Sequence, residues 1–316
     1  MLIQFGPPQV LLALEGGGTR SQAALLDGAG RLLQTQDSGA VNINFVPFDD
    51  ARQAVFHAVR GVLAAAKVKP EAVSVFVSAL VGASFGPETF GALCPRAVFR
   101  RYGELQVVFA RAGIFRPHGV AVVAGTGATA WGVRADDGRQ VLLGGWGALL
   151  GDEGSAYALG LLGLRATVRA FEGRAPAPTA LVDAIRAHFN LSQDQFREEL
   201  IALVYQKPLS RAEIADLATL VTRLAGQQDP LATRVTSKVS NDLAELALNT
   251  ARRLFGSGER FDLVLAGGLT SAGDIMLGPL RQRLPAEFPN AALQIGRDAP
   301  AVALGRLAFY DLQEAV

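Results

Sequence analysis

The sequence predicts an α/β protein of two domains, and three observations support this prediction. Apolar strand-like runs alternate with helix-like stretches along the chain, a pattern typical of sheets flanked by helices. A unit of three strands with a glycine-rich first turn occurs twice, which indicates internal duplication. The length of 316 residues also exceeds what one hydrophobic core usually supports. We therefore expect one α/β sheet in each half of the chain.

The first three-stranded unit, residues 10–36, is VLLALE, GGG, TRSQAALL, DGAG and RLLQTQ. A Walker A loop and a Rossmann fingerprint both need a helix directly after their glycines. The residues after Gly18 instead predict a second strand that ends at a hairpin turn. Both motifs are therefore excluded, and the glycines form a strand-to-strand turn.

The second unit, residues 120–143, has the same pattern, with AGTGATA as its first turn and DDG as its second. Bare backbone amides at a tight turn can surround an anion, and glycine lets a phosphate approach the main chain. A lone GGG is more often only a hairpin turn. Two matched turns in a duplicated frame favour a polyphosphate site.

The remaining elements follow in order. A helix is expected at 50–66 and strands at 72–80 and 105–110; after the second unit come a helical stretch at 155–255, strands at 260–268 and 292–296, and a closing helix at 299–312. Helix starts inside the helical stretch are indicated by Ser192 with Gln195, Ser210 with Glu213, and Asp229 before Pro230.

These elements predict a first domain of residues 1–115 plus 300–316 and a second domain of residues 116–299, which carries the helical insertion. No charge-rich or low-complexity linker separates the halves. We expect the two glycine turns to face each other across a cleft between the domains.

The composition argues against several function classes. Thirty Lys and Arg residues balance 29 Asp and Glu residues, so nothing draws the protein generally to nucleic acid or anionic lipid. The single cysteine, Cys94, cannot form an intrachain disulfide. The apolar run at 10–14 is too short for a signal peptide or a membrane span. We expect a cytoplasmic protein that binds neither nucleic acid nor membranes.

Four segments resemble the N-acetylglucosamine kinase and BadF/BadG/BcrA/BcrD ATPase group of the actin-like ATPase superfamily. EGGGTRS (15–21) resembles its first phosphate loop, AGTGATA (124–130) its second, and AGGLTSAG (266–273) its adenosine motif. GGWGALLGDEGSAYALG (144–160) resembles the sugar-site signature almost residue for residue. The resemblance covers nearly the whole chain and implies a duplicated, ribonuclease H-like fold with a small-molecule sugar and a nucleotide as partners.

The resemblance also implies ATP and Mg²⁺ as cofactors, with Glu15 orienting the metal through a water. Mg²⁺ keeps several waters and takes one or two carboxylates plus phosphate oxygens, which suits this role. The residues that would bind ATP are Gly17, Gly18, Thr19, Gly125, Thr126, Ala215, Gly267 and Gly268. The residues that would bind the sugar are Asn42, Gly145, Trp146, Gly147 and Asp152.

The physical character of the sugar-site residues agrees with this assignment. Asn and Asp offer paired donors and acceptors to hydroxyl groups, and Trp146 offers an apolar face. Taken singly, Trp146 could equally be a core aromatic, and Asp152 an acid at a helix N-terminus. Their occurrence in one glycine-rich run favours a site.

The catalytic base is the one expected group that the sequence does not supply. Relatives carry an aspartate at the end of the last strand of the first domain, in a pattern like TDAAG. With a strand at 105–110, Ala110 takes that place, and Glu104 begins the strand, about 20 Å from its far end at ~3.3 Å per residue. His118 is the nearest alternative, but it precedes the strand at 120, away from the glycine turn. We expect slow turnover, which Ala110→Asp should raise roughly tenfold.

Three functions remain open. The first is an ATP-dependent kinase of N-acetylglucosamine or glucosamine, and the second is a non-catalytic sensor of sugar and nucleotide. The third is an ATPase that drives a partner reductase, a role that needs a cysteine-ligated iron–sulfur cluster to which Cys94 supplies at most one ligand per chain. A homodimer is a further expectation from the resemblance.

Overall fold

The computed structural model describes residues 10–82, 85–206 and 209–314. The chain forms two compact units: one comprises the residues up to Pro117 and those from Ile295 onward, and the other runs from His118 to Gln294. Each unit contains a five-stranded sheet with helices packed on it. The predicted α/β class is confirmed.

The elements were assigned in chain order. The first unit contains β1 (Val10–Gly16), β2 (Ser21–Asp27), β3 (Leu32–Ser38), α1 (Phe48–Ala66), β4 (Val75–Leu80), α2 (Pro87–Leu93), β5 (Val98–Arg101) and α3 (Glu104–Ala110). The second contains β6 (Gly119–Ala124), β7 (Ala128–Val133), β8 (Gln140–Gly144), α4 (Ala156–Phe171), α5 (Leu181–Phe189), α6 (Phe196–Ile201), α7 (Arg211–Gly226), α8 (Pro230–Arg252), β9 (Asp262–Ala266), α9 (Asp274–Glu287) and β10 (Ala292–Ile295). Helix α10 (Pro300–Glu314) returns to the first unit.

The two sheets share one topology. The strand order is β3-β2-β1-β4-β5 in the first and β8-β7-β6-β9-β10 in the second. In each, the first three strands form an antiparallel meander, and the first strand also pairs in parallel with the fourth. The internal duplication is therefore confirmed at the level of the sheet.

The first sheet is covered on both faces, which explains the unbroken apolar run of β1. Because successive strand residues point to opposite faces, Leu12 and Leu14 pack in the cluster that includes α1 and α2. Leu11 and Ala13 pack in the cluster that includes α3 and α10. Glu15 continues the second series, so its side chain lies on the face covered by α3 and α10.

The second unit holds the helical insertion between β8 and β9. Helix α4 packs on α7, so closely that a Cβ on Gly160 would lie 1.8 Å from the carbonyl oxygen of Ile214. Ser210 and Glu213 form the predicted capping box, and Asp229 caps α8. Helix α6 begins after Gln195 rather than at Ser192. None of the helices in the described ranges is long and apolar enough to cross a membrane.

The predicted strand at 105–110 is wrong, because these residues form α3. The last strand of the first sheet is β5, which pairs in parallel with β4. Helix α3 begins where Gly103 N donates to Gln106 Oε1 at 2.8 Å. The valines of this stretch favour a strand only weakly, and packing of one helix face on the sheet overrides that preference.

Candidate active site

The first glycine turn, which joins β1 to β2, is fixed by main-chain hydrogen bonds. Gly17 N donates to Arg20 O at 3.0 Å, and Gly17 O accepts from the amides of Val41 and Asn42 at 2.9 and 3.2 Å. A Cβ on Gly17 would meet nothing within 4 Å. Gly17, Gly18 and Thr19 therefore present an accessible backbone, as a phosphate loop requires.

Asn42, predicted to bind the sugar, is buried directly beside this turn. Its Oδ1 accepts from Asn44 N at 3.0 Å. A Cβ on Gly82 would lie 2.1 Å from the same oxygen, so only glycine fits against the Asn42 amide. The structure thus brings Asn42 and Gly17 together, although 24 residues lie between them in the sequence.

Glu15 and Glu104 meet at one edge of the first sheet. Strands β1, β4 and β5 are parallel, so their carboxyl ends lie at the same edge. Tyr102 N donates to Ser78 O at 2.8 Å, which holds the chain at that edge just before α3 starts with Glu104. Glu15 lies on the face that α3 covers. Glu104 is therefore placed beside Glu15 by the fold, not 20 Å away along a strand.

The electrostatics of this edge agree with that placement. The pKa of Glu15 is raised to about 7, first by burial and then by the charge of Glu104, while Arg111 and Arg20 oppose the rise. Burial raises the pKa of Glu104 to about 7 as well. Arg111 is held in place by its Nε, which donates to Asp298 O at 2.7 Å. A carboxyl group with a pKa near neutrality can accept a proton from a reacting hydroxyl.

The donor set at this edge fits Mg²⁺. Oxygen atoms of one or two carboxylates, completed by waters and phosphate oxygens, are what Mg²⁺ takes in phosphoryl-transfer sites. Across residues 10–82, 85–206 and 209–314, no three His, Cys, Asp or Glu side chains cluster to hold a metal alone. Glu15, beside the bare amides of the turn, is therefore the residue suited to bind a metal that arrives with a phosphate.

The second glycine turn, which joins β6 to β7, is held at both ends. Gly125 N donates to Gly127 O at 3.0 Å, and Ala156 N, at the start of α4, donates to Gly125 O at 2.8 Å. Gly267 packs against the turn, where a Cβ would lie 2.4 Å from Ala124 O. Its φ is +113°. The structure thus brings together Gly125, Thr126 and Gly267, three residues predicted to bind ATP.

Ala215 and Gly268 come from adjoining elements. Ala215 is buried in α7, one turn after the start of that helix. Helix α7 contacts the 3-10 segment Gly268–Ala272, which follows β9. Ala215, Gly267 and Gly268, all predicted to bind ATP, therefore belong to neighbouring parts of the second unit.

The sugar-signature loop follows β8 and is shaped by glycines. Gly144, Gly145 and Gly147 have φ of +72°, +71° and +82°, a region that favours glycine. Gly145 N donates to Ala128 O at 2.8 Å, which ties the loop to the second turn. Trp146 is 73% exposed, so the alternative of a core aromatic is wrong.

Asp152, at the end of this loop, is 3% exposed. Its Oδ1 accepts from Ala128 N at 3.1 Å, and its Oδ2 accepts from Arg211 Nη2 at 2.9 Å. The cap of α4 is Ser155, whose hydroxyl accepts from Ala158 N, so Asp152 is not an acid at that helix terminus. Sequence reasoning missed Arg211, because no local pattern links residues 59 positions apart.

Ala110 and His118, the two positions considered for the base, both pack against apolar neighbours. Ala110 ends α3, is 1% exposed, and packs with Leu11 and Ala13; placing it at a strand end is therefore wrong. His118 Nδ1 accepts from Ala135 N at 3.1 Å, and its ring packs edge-on to Phe255. It precedes β6 at the end opposite the glycine turn. Glu104, which the sequence predicted at the start of a strand, is instead the first residue of α3.

Known proteins resemble this chain in both sequence and structure. An N-acetylmuramic acid/N-acetylglucosamine kinase of Clostridium acetobutylicum is 27% identical over 181 residues, which cover 57% of this chain and 58% of that protein. An N-acetyl-D-glucosamine kinase of Dictyostelium discoideum is 24% identical over 306 residues, which cover 90% of this chain and 93% of that protein. The crystal structure of a candidate N-acetylglucosamine kinase from Chromobacterium violaceum matches with a TM-score of 0.70 at 22% identity, covering 96% of this chain and 99% of that one.

The family comparison covers most of the sequence. The model of the BadF/BadG/BcrA/BcrD ATPase family matches residues 14–294, from the first glycine turn to the penultimate residue of β10. This range includes every residue predicted to bind ATP, the metal or the sugar, together with Glu104 and Arg211. The chain belongs to the BadF/BadG/BcrA/BcrD ATPase family.

Proposed function

We propose that the protein is an ATP-dependent kinase of an amino sugar, with N-acetylglucosamine as the first candidate and glucosamine as the second. One observation carries the proposal: two carboxyl groups with raised pKa values, Glu15 and Glu104, lie beside a bare glycine turn. The glycine-rich signature loop and the N-acetylglucosamine kinases among the relatives support the choice of sugar.

Each group has a distinct role in the proposed reaction. The backbone amides of the glycine turns bind phosphate oxygens, and Gly267, Gly268 and Ala215 border the adenosine. Glu15 holds Mg²⁺, which when bound neutralises charge on the phosphates. Asn42, Trp146 and Asp152 orient the sugar or its loop.

Glu104 acts as the general base. The sugar's 6-hydroxyl oxygen forms a bond to the γ-phosphorus, the bond between that phosphorus and the oxygen of the β-phosphate breaks, and ADP leaves. The hydroxyl proton passes to the Glu104 carboxylate. General bases of this kind typically contribute about 10²–10⁴ in rate, and most of the remaining catalysis comes from positioning and charge stabilisation.

The experiment compares the wild type with Glu104→Gln in a coupled assay containing ATP, Mg²⁺ and a panel of hexoses. Glu104→Gln should lower kcat by about 10²–10⁴-fold with little change in KM, since it removes an interaction made in the transition state. Glu88→Gln is the matched control, because Glu88 is an exposed acid in the first turn of α2; it should keep wild-type activity.

The possible results separate the alternatives. A wild type that forms no sugar phosphate, but binds sugar and nucleotide in calorimetry, would favour a sensor over a kinase. An active wild type whose Glu104→Gln variant is equally active would assign the base to another group.

The described residues of the first unit do not favour the third alternative, an ATPase that serves a reductase through a shared iron–sulfur cluster. Cys94 is buried in the core cluster that includes Phe76 and Phe90. Burial raises the pKa of its thiol to about 12. A metal cluster needs an accessible thiolate, so this cysteine is poorly placed to supply one.

A further inference from the structure

Asp152 carries a buried charge in a backbone conformation that residues other than glycine seldom adopt. Its φ is +63°, in the left-handed region. Such residues persist where the surrounding structure fixes them, and they are concentrated at functional sites. What surrounds Asp152 therefore indicates what it is for.

One of its two oxygens supports the second glycine turn. Asp152 Oδ1 accepts from the amide of Ala128, the residue directly after that turn, at 3.1 Å. A Cβ on Gly127 would lie 3.0 Å from Oδ2 and 3.2 Å from Oδ1, so the turn packs directly on the carboxylate. The geometry of the turn therefore depends on where this carboxylate points.

The other oxygen is bound by Arg211, the first residue of α7. The distance from Arg211 Nη2 to Asp152 Oδ2 is 2.9 Å, and the Arg211 side chain is 25% exposed. The guanidinium also lies 5.7 Å from the centre of the Tyr157 ring in α4. Arg211 is thus held by two elements, and it precedes Ala215 by one turn of the same helix.

We propose that Arg211 is a positioning residue, which by neutralising and orienting Asp152 holds the second glycine turn in its nucleotide-binding form. Without the guanidinium, a buried carboxylate lacks its counter-charge and must take up a proton or turn towards water. Either change weakens the hydrogen bond from Ala128 N. The proposal rests on the proposed function only in naming MgATP as the ligand.

An ion pair that merely stabilises the unit would behave differently, and the chain offers a matched control. Arg134 also combines ion pairs, to Asp136 at 2.7 Å and to Glu259 at 2.6 Å, with a ring, that of Phe255 at 5.4 Å. It lies just after the other end of β7, away from the turn. Arg134→Gln therefore removes at least as many ion pairs as Arg211→Gln, at a place where Arg134 cannot position the turn.

The first measurement is hydrogen–deuterium exchange of the full chain without ligand, in peptides that cover residues 122–131. In Arg211→Gln, the amides of the turn should exchange at least about tenfold faster than in the wild type, because the turn opens more easily once Asp152 no longer supports it. In Arg134→Gln they should exchange at the wild-type rate.

The second measurement is calorimetric titration with MgADP. Arg211→Gln should raise the dissociation constant about tenfold or more, because small misplacements of binding groups have large effects. Arg211→Lys keeps the charge but not the planar fork, and should restore the constant to within about threefold of the wild type. Arg134→Gln should leave it unchanged.

The results separate this proposal from the proposed function. A folded Arg211→Gln variant with wild-type exchange and wild-type MgADP affinity overturns the positioning role. If Arg211→Gln does not fold, Arg211→Lys decides: turn amides that exchange measurably faster than in the wild type, together with MgADP binding up to about threefold weaker, support the role, and wild-type values of both contradict it. A wild type that binds MgADP but phosphorylates no sugar refutes only the kinase; one that binds no MgADP refutes both.

Discussion

The two glycine turns occupy equivalent places in sheets of the same topology, yet different hydrogen-bonding groups hold them. The first turn is fixed by main-chain bonds from Val41 and Asn42 to Gly17. The second has main-chain bonds of its own, at Gly125, and in addition a side-chain acceptor, the buried carboxylate of Asp152. The duplication therefore preserves the position of the turn in each sheet, but a different set of contacts fixes the turn in each unit.

The carboxylates also differ between the two units. In the first unit, burial raises the pKa of both Glu15 and Glu104, and the charge of Glu104 contributes to the rise at Glu15. In the second, Asp152 is bound by a guanidinium. The first arrangement suits proton transfer and cation binding, whereas the second suits a fixed support.

The largest effect on stability is expected at Ala110, the last residue of α3, the helix that begins with Glu104. Ala110→Asp puts a carboxylate into an apolar cluster with Leu11 and Ala13, and should lower the free energy of unfolding by about 3 kcal/mol or more. Denaturant unfolding measures this, with Ala29→Asp in an exposed hairpin turn as the control. A stable variant with at least tenfold higher turnover would restore Ala110 to the base position that the sequence suggested.

The glycine turns themselves allow the sharpest comparison. Gly127→Ala forces a Cβ against the Asp152 carboxylate and should cost about 1–3 kcal/mol of stability as well as MgATP affinity. Gly17→Ala meets no neighbouring atom, so it should leave Tm unchanged and weaken only MgATP binding. Equal losses of Tm in both variants would show that the two turns are held alike.

The pH dependence of stability tests the first unit alone. The pKa of Glu104 is about 7 in the folded protein against an ordinary 4.5, so the folded state retains a proton that the unfolded state has released. The contribution of protonated Glu104 to the free energy of unfolding is complete below pH 4.5 and is lost as the pH rises through 7. Glu104→Gln should therefore gain roughly 1–3 kcal/mol relative to the wild type between pH 5 and pH 8. Thermal unfolding at both pH values measures this, and Glu88→Gln should follow the wild type.

The smallest effect on stability is expected in the signature loop. Trp146 is 73% exposed and Leu149 is 97% exposed, so replacing either with Ala should change the free energy of unfolding by no more than about 0.5 kcal/mol. Trp146→Ala should weaken N-acetylglucosamine binding about tenfold, or ~1.4 kcal/mol, and Leu149→Ala should not. Calorimetry with the sugar would contradict the role of Trp146 if both variants bind like the wild type.

The sequence predicted what depends on local pattern. The apolar run of β1 and the capping box at Ser210 and Glu213 needed no knowledge of distant residues. The stretch at 105–110 failed because its apolar run fits a strand and a short helix equally well. The reach of Gln106 back to the amide of Gly103 was the overlooked helix signal.

The candidate site was predictable only where glycine or a motif marked it. Gly17 and Gly125 were visible because a turn with bare amides has a signature in sequence. Glu104 and Arg211 were not, because their importance comes from pairing with Glu15 and Asp152, which are remote in sequence. Contacts of this kind arise from the fold and leave no local pattern.

Helix α10 has a consequence for how the chain is made. It completes the first unit by packing on β1 and β2, so closely that Gly305 fits against Leu26 only because it lacks a Cβ. During translation, the whole second unit must leave the ribosome before α10 does, a delay of about ten to forty seconds at typical elongation rates. The apolar face of the first sheet stays uncovered for that time, so the N-terminal half emerges first but finishes folding last, and its dependence on chaperones should exceed that of the second unit.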